Sequence, residues 1–266
     1  MKLVFAGSGS AFTMNNRQSN MVLEDANKKR LLIDCGSDAR HSLQQLGLAP
    51  KDVTDVYISH LHADHVGGLE WLAFVTFFDP GCSKPTIYIS QFLKTDLWSK
   101  TLAGGLASIQ GVSTDINTFF DVVKIPRKGN FIWENTYFQT VQTVHIMDGF
   151  TIVPSFGLMF NADDKEVFIT TDTQFCPEQI KDFYKMADVI FHDCETTPFE
   201  SGVHAHFNKL ATLPDDVKAK MWLYHYQDGD LPDAKAHGFR GFVQKHQVFD
   251  FEDDNTLHNE VVVDKL

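Results

Sequence analysis

Ser59-His60-Leu61-His62-Ala63-Asp64-His65-Val66-Gly67-Gly68 gathers three histidines and an aspartate into six consecutive residues, after the strand-like Val56–Ser59 and before the helix-like Gly67–Thr76. In an extended chain residues i and i+2 point the same way, so His60 and His62 can chelate one ion together. Asp64 and His65 open the next turn and face a second ion beside the first. Imidazole with carboxylate suits Zn²⁺, Mn²⁺ or Fe rather than Ca²⁺. A surface histidine cluster closing a strand is the bland alternative, and this density of donors at metal-ligand spacing argues against it. The expectation is two divalent metal ions, zinc first.

Four donors do not complete two ions. Further along the chain His145 follows the strand-like Tyr137–Val144, Asp172 follows Glu166–Thr170, and His225 closes Trp222–His225. Each alone reads as a polar cap on a strand. Together they supply what the first run lacks.

The remaining strand-like segments are Lys2–Ala6, Arg30–Asp34, Thr86–Ser90, Thr151–Phe160 and Asp188–Asp193, short and rich in Val, Ile, Phe and Tyr. Asn161-Ala162-Asp163-Asp164 reads as a hairpin turn. Helix-like segments are Ala39–Leu46, Gly67–Thr76, Gln91–Leu102, Pro177–Met186 and Asp215–Met221, with Pro177 placed as a first helical residue. Strands and helices intermix without strict alternation, which predicts two mixed sheets covered by helices on their outer faces. No repeat or Pro/Gly-rich linker divides the chain, so a single α/β domain over residues 1–266 is expected. Gly7-Ser8-Gly9-Ser10 resembles the start of a dinucleotide loop, but Phe12 stands where the third glycine belongs.

Composition narrows the partners. The chain has 266 residues, 43% hydrophobic and 22% charged, enough to bury a sizeable core without staples. A net charge of −12 gives no support for a large phosphate-tracking surface, so a small ligand fits better than nucleic acid. Cys35, Cys82, Cys176 and Cys194 form no C-x-x-C pair, and a reducing cytoplasm is the simplest setting. No apolar run reaches the length of a membrane span.

The run His60–His65 matches in full the H-x-H-x-D-H signature of the metallo-β-lactamase superfamily, which the chain resembles over nearly its whole length. The resemblance implies an αββα four-layer sandwich with the metals at one edge of the two sheets. It assigns His60, His62 and His145 to one ion, Asp64, His65 and His225 to the other, and Asp172 as the bridge. Aspartate at 172, where true β-lactamases of this fold carry cysteine, points away from antibiotic hydrolysis. Phe5-Ala6-Gly7-Ser8-Gly9-Ser10-Ala11, Ile33-Asp34-Cys35-Gly36, Thr171-Asp172-Thr173 and Ile190-Phe191-His192-Asp193 look most like the RNase Z-like branch. Two segments depart from its tRNA-processing members: Gly67-Gly68-Leu69-Glu70-Trp71-Leu72 lacks their Gly/Pro-rich sequence, and Asp193-Cys194-Glu195 replaces their His-Glu-Ala-Thr element. No Gly/Pro-rich basic arm lies between Gly81 and Val144. Gly202-Val203-His204-Ala205-His206 and Trp222-Leu223-Tyr224-His225-Tyr226 look more like compact relatives of the anti-Pycsar type, which degrade cyclic nucleotides as homodimers.

The resulting expectation is a dinuclear phosphodiesterase that opens 3′,5′-cyclic nucleotides with a metal-bridged hydroxide. Asp64 orients the nucleophile besides binding metal. His204 is the first candidate for protonating the leaving alkoxide and His206 the second, against the plainer reading of exposed loop histidines. Phe199, Phe207 and Tyr226 lie near the site in sequence and could stack a base, although most aromatics in a chain with 23 phenylalanines are core. His41, His237, His246 and His258 have no motif company. The segment Pro198–His206 is expected to fold over the cleft, and its apolar residues or the stretch Gln91–Phe120 to help form a homodimer. The alternatives are an RNase Z-type endonuclease on tRNA precursors, an ester or thioester hydrolase of the same superfamily, and a nucleotide-binding module with a vestigial metal site.

Overall fold

Alternation along the strands writes the layers. In β1 (Lys2–Phe5) Leu3 and Phe5 turn to one side and Val4 to the other, and these sides become two different cores. The computed structural model of the chain describes residues 1–253, Leu257 and 262–263. After β1 the strands run β2 (Met21–Glu24), β3 (Arg30–Ile33), β4 (Asp55–Ile58), β5 (Thr86–Ser90), β6 (Asp121–Ile125), β7 (Asn130–Trp133) and β8 (Thr136–Met147). They continue with β9 (Ile152–Ala162), β10 (Lys165–Ile169), β11 (Val189–Asp193), β12 (Met221–Tyr224), β13 (Gly241–Phe242), β14 (Gln247–Asp250) and β15 (Val262–Val263). Two sheets result, ordered β15-β14-β1-β2-β3-β4-β5-β6 and β13-β12-β11-β10-β9-β8-β7.

Leu3, Phe5, Ile33 and Tyr57 of the first sheet meet Leu158, Phe160, Phe191 and Tyr224 of the second in the core between them. Outside the first sheet Leu43 of α1 (Ala39–Gln45), Val66 of α2 (Ala63–Val66) and Leu69 and Leu72 of α3 (Leu69–Phe78) cover the opposite strand faces. Further helix follows over 94–106 (α4) and Ile116–Phe119 (α5). Outside the second sheet Ile180 and Tyr184 of α6 (Pro177–Met186) do the same, beside α7 (Phe207–Leu210) and α8 (Asp215–Lys218). The order helix, sheet, sheet, helix is the expected four-layer sandwich.

Strands β3 to β6 run parallel, as do β10 to β13. Their carboxyl ends emerge at the edge where the segments holding Asp34, His60, Asp172, Asp193 and His225 begin. In open parallel sheets ligands bind outside those ends. The Asn161–Asp164 turn forms as expected, with Asp163 and Asp164 at φ 48° and 68°, the left-handed pair of a two-residue hairpin.

Some expectations shift. His145 lies inside β8 rather than after it, because the strand continues past a register slip between Val144 and Ile146. Met221 does not close a helix over Asp215–Met221; α8 ends at Lys218 and Met221 opens β12, where it is fully buried. The helix expected over Gln91–Leu102 starts at Lys94 and runs on to Leu106. The helix expected over Gly67–Thr76 runs unbroken from Leu69 to Phe78 as α3, with a separate turn, α2, before it.

Backbone meets backbone where β3 hands over to α1. Cys35 N–H donates to His65 O at 2.7 Å and Gly68 N–H to Cys35 O at 2.9 Å. A Cβ on Gly36 would collide with the Asp64 carbonyl. Gly36→Ala should therefore cost about 2 kcal/mol, as overpacking of a closed contact does. Urea unfolding checks this: an unchanged midpoint would show that the contact yields.

Candidate metal centre

His60 follows β4, and His62 sits at the N-cap of α2, in extended conformation at ψ 153°. Asp64 and His65 occupy the helical turn itself, so one strand-to-helix junction presents all four donors. The bulge in β8 lets His145 reach them: an extra residue on one strand re-aims a side chain. His225 stands directly after β12 at φ 66°, and Thr171, beside Asp172, has φ 52°. A β-branched residue at positive φ is strained, and such strain persists only where surrounding contacts over-determine it. His225 is held by its own N–H, which donates to Ser8 O at 2.7 Å. The Gly7–Ser10 loop, which mimics a dinucleotide motif in sequence, here supports this histidine.

The donors form two groups that share Asp172. His60, His62, His145 and Asp172 make one; Asp64, His65, His225 and Asp172 make the other. In the first, His62 Nδ1 lies 3.1 Å from His60 Nε2 and 3.1 Å from His145 Nε2, and Asp172 Oδ2 lies 3.7 and 3.6 Å from those two Nε2 atoms. In the second, Asp64 Oδ2 is 3.2 Å from His65 Nε2 and 3.3 Å from His225 Nε2, and Asp172 Oδ1 is 3.3 Å from His65 Nε2. Donors about 2.1 Å from a tetrahedral zinc stand roughly 3.4 Å apart, so both groups fit an ion at the centre. His65 Nε2 and Asp172 Oδ1 are buried and unpaired by hydrogen bonds, as atoms aimed at an ion would be.

The outer nitrogens are fixed by further contacts. His65 Nδ1 meets Asp34 Oδ2 at 2.8 Å, and Asp34 in turn accepts Ser59 N–H and Ser59 Oγ–H at 2.8 and 2.7 Å. His145 Nδ1 donates to Val203 O at 2.8 Å. His225 Nδ1 faces Asp193 Oδ1 at 3.4 Å. Such contacts set which nitrogen faces the metal. In the sequence Asp34 and Asp193 stand out only as parts of resembling segments, and their strand-end positions are the signal that marks them.

The charge pattern suits a cation. Burial pushes His60, His62 and His145 below the ordinary imidazole value, toward the neutral form that ligates. Burial also lowers His65 and His225, but Asp172 overcomes it and both end well above that value. Burial raises Asp172, and the His225 and His65 charges reverse this and hold it well below the carboxylate range. The buried carboxylates thus favour positive charge beside them.

His204 reaches the centre and His206 does not. His204 Nδ1 meets Asp193 Oδ2 at 2.8 Å and lies 4.0 Å from Asp172 Oδ2, with the ring stacked on His225 at 4.7 Å. Burial lowers its pKa, yet Asp193 outweighs this and raises it. Burial likewise raises Asp193, and the His204 charge brings it down to about 2. His206 caps α7: its Nδ1 accepts Asn208 N–H at 3.2 Å and its Nε2 donates to Thr197 O at 2.9 Å. Both nitrogens are engaged in these bonds. Phe207 and Tyr226 are buried in packing, while Phe199 points to solvent, so none of the three lines the centre. His41 and His237 are exposed as expected, His246 is half-buried, and His258 lies outside the described residues.

Two mixed sheets faced by helices, with histidine–aspartate donors at one edge, define a protein of the metallo-β-lactamase fold. Solved structures share it. A metallo-β-lactamase fold protein, YhfI from Bacillus subtilis, superposes at TM-score 0.69 over 93% of this chain and 98% of its own, at 16% identity. A diphosphatase from the PhnP family does so at 0.72 over 94% and 97%, at 17% identity. The chain belongs to the family described as Anti-Pycsar protein Apyc1, which it matches over residues 1–249. Among relatives of that name, one from Paenibacillus harenae is 38% identical over 234 residues, 86% of this chain and 90% of its own. Another from Bacillus phage 010DV004 is 32% identical over 238 residues, 86% and 90%. No helix among the described residues is long and apolar enough to cross a membrane.

Because the buried donors suit a cation, adding Zn²⁺ or Mn²⁺ to chelator-treated protein should raise its stability by about 2.7 kcal/mol at one hundred times the dissociation constant. Calorimetry checks this, and an unmoved melting temperature with either metal would count against the centre.

Proposed function

We propose that this chain is a dinuclear metal-dependent phosphodiesterase that hydrolyses 3′,5′-cyclic nucleotides. The observation that carries this is the pair of donor groups meeting on one carboxylate, Asp172. The description Anti-Pycsar fits it, as does the resemblance to compact relatives that degrade cyclic nucleotides. His60, His62 and His145 would hold one ion, Asp64, His65 and His225 the other, with Asp172 between. When bound, two such ions activate water near neutral pH and neutralise phosphate charge.

The protein supplies position and protons. Asp64 would accept a hydrogen bond from the attacking water and so orient it toward phosphorus. As the phosphorus–oxygen bond to the leaving ribose oxygen breaks, that oxygen needs a proton. With Nδ1 committed to Asp193, His204 has Nε2 left to give one. Water adds to phosphorus, the ring ester opens, and a nucleoside monophosphate leaves. The loop carrying His204 also places Val203 O on His145, so the acid and a ligand are held by one segment. Exposed Phe199 on the same loop suits the two-fold pairing expected from sequence; a monomer in light scattering would remove the pairing and leave the chemistry.

The zinc- and manganese-loaded protein should turn over cyclic mononucleotides and bind two ions per chain by elemental analysis. Steeply salt-sensitive binding of a tRNA precursor, with cleavage of it alone, would replace this reading by an RNase Z-type one. Asp64→Asn should lower turnover by roughly three orders of magnitude or more, since it weakens both an ion site and the orientation of the nucleophile. His204→Ala should slow cyclic nucleotides, whose alkoxide leaves poorly, far more than bis(p-nitrophenyl) phosphate, whose leaving group needs no proton. Equal loss on both substrates would exclude His204 as the acid.

A further inference from the structure

Beside the metal centre, on the far side of His204, lies a cavity of about 300 Å³. Gln174 and Phe175 from the segment between β10 and α6 line it, with Gly202, His204, His206 and Lys209 of α7. His204 apart, the chemistry derived above uses none of its lining. A larger cavity of about 560 Å³ sits among Met1, Tyr137, Asp163 and Met186, along β8 to β10 at the end away from the metal donors.

The smaller cavity shares His204 with the centre, and the His204 ring bridges the two: it stacks on His225 and tilts against His145 at 5.0 Å. A ligand with its phosphate above Asp172 reaches the cavity by crossing the width of one imidazole. In a 3′,5′-cyclic nucleotide a single fused ribose separates phosphate from base, a span of the same order. The wall is also pre-set. Gln174 N–H donates to Val144 O at 2.6 Å and its Nε2 to His145 O at 2.7 Å, which ties the Gln174–Phe175 segment to the strand bearing a proposed ligand. Phe175 packs against the outer core, is partly buried and lines the cavity. Lys209 and Glu200, paired at 3.8 Å, put a donor and an acceptor at the rim. A flat aromatic wall with polar groups at its edge is what a heteroaromatic ring requires.

We propose that this cavity is the nucleobase subsite, with Phe175 stacking on the base and Lys209 donating to an acceptor on its edge. This rests on the cyclic-nucleotide reading above. It replaces Phe199, Phe207 and Tyr226 as stacking partner.

Three substrates separate the two ideas: cyclic AMP, cyclic GMP, and methyl riboside 3′,5′-cyclic phosphate, which keeps the ring and the leaving group but has no base. The wild-type protein should favour the nucleotides over the abasic ester in KM. Phe175→Leu, which keeps apolar volume without a π face, should raise KM for the nucleotides about tenfold, the order of one base–aromatic stack. The abasic ester should suffer much less, and Phe175→Tyr should restore the wild-type ratio. Lys209→Met should change the preference between cyclic AMP and cyclic GMP. Equal KM for nucleotide and abasic ester in the wild type, or equal loss on both in Phe175→Leu, would overturn the subsite and leave the phosphodiesterase standing. Failure of the wild type on all three esters would overturn the function, and the subsite with it.

Discussion

The Asp172 carboxylate is 1% exposed and has three more acids around it, Asp34, Asp64 and Asp193, all buried. Taking that much negative charge out of water costs several kcal/mol per ion unless cations stand among the oxygens. The rest of the edge follows from this constraint. Histidines surround Asp172 on both sides, each near enough to share a cation with it, and the strand ends that deliver them come from both sheets. A sandwich suits such a site because the core between its sheets fixes the spacing of the two ends independently of the loops. Tyr57 shows the coupling: it lies in that core, and its hydroxyl donates to Phe156 O at 2.9 Å across the sheets, two residues from Ser59. Ser59 O in turn accepts Phe156 N–H at 3.2 Å.

What could be read from the sequence was what local spacing encodes. His60 to His65 carry their geometry in a short run, since a strand end and one helical turn are the only structure needed to converge them. Pro177–Met186 was equally plain, with proline at the first position and Ile180 and Tyr184 one turn apart. The failures share a cause. Strands β2, β7 and β14 have four residues each, too short for a detectable alternation, and β14 pairs with β1 from the other end of the chain. The bulge that aims His145 depends on the register between β8 and β9, which no window on one strand reports.

Side-chain roles were less legible than side-chain presence. His204 and His206 are two residues apart and look equivalent on paper. The structure separates them because β11 ends at Asp193, which faces His204, while the start of α7 needs a cap and takes His206. A histidine at a helix N-terminus is drawn to unpaired backbone N–H groups, and that attraction competes with any catalytic use. The Gly7–Ser10 loop is the converse case. Its motif resemblance is empty, yet Ser8 O and Ser10 N–H bind the backbone of His225 and Tyr226 and hold a strained residue in place.

Asp193 joins the two halves of the proposed chemistry. One oxygen faces His225, a proposed metal ligand, and the other meets His204, the proposed acid, while also accepting Thr173 N–H at 2.9 Å. Thr173 is the residue after Asp172, so the same carboxylate fixes the backbone that carries the bridging group. A shift of Asp193 would therefore move the acid, a ligand and the bridge together. Separate supports would let the proton donor drift relative to phosphorus as loops moved. A single buried carboxylate at the end of a central strand holds all three in one frame, and a donor placed within a fraction of an ångström is what proton transfer to a leaving oxygen demands.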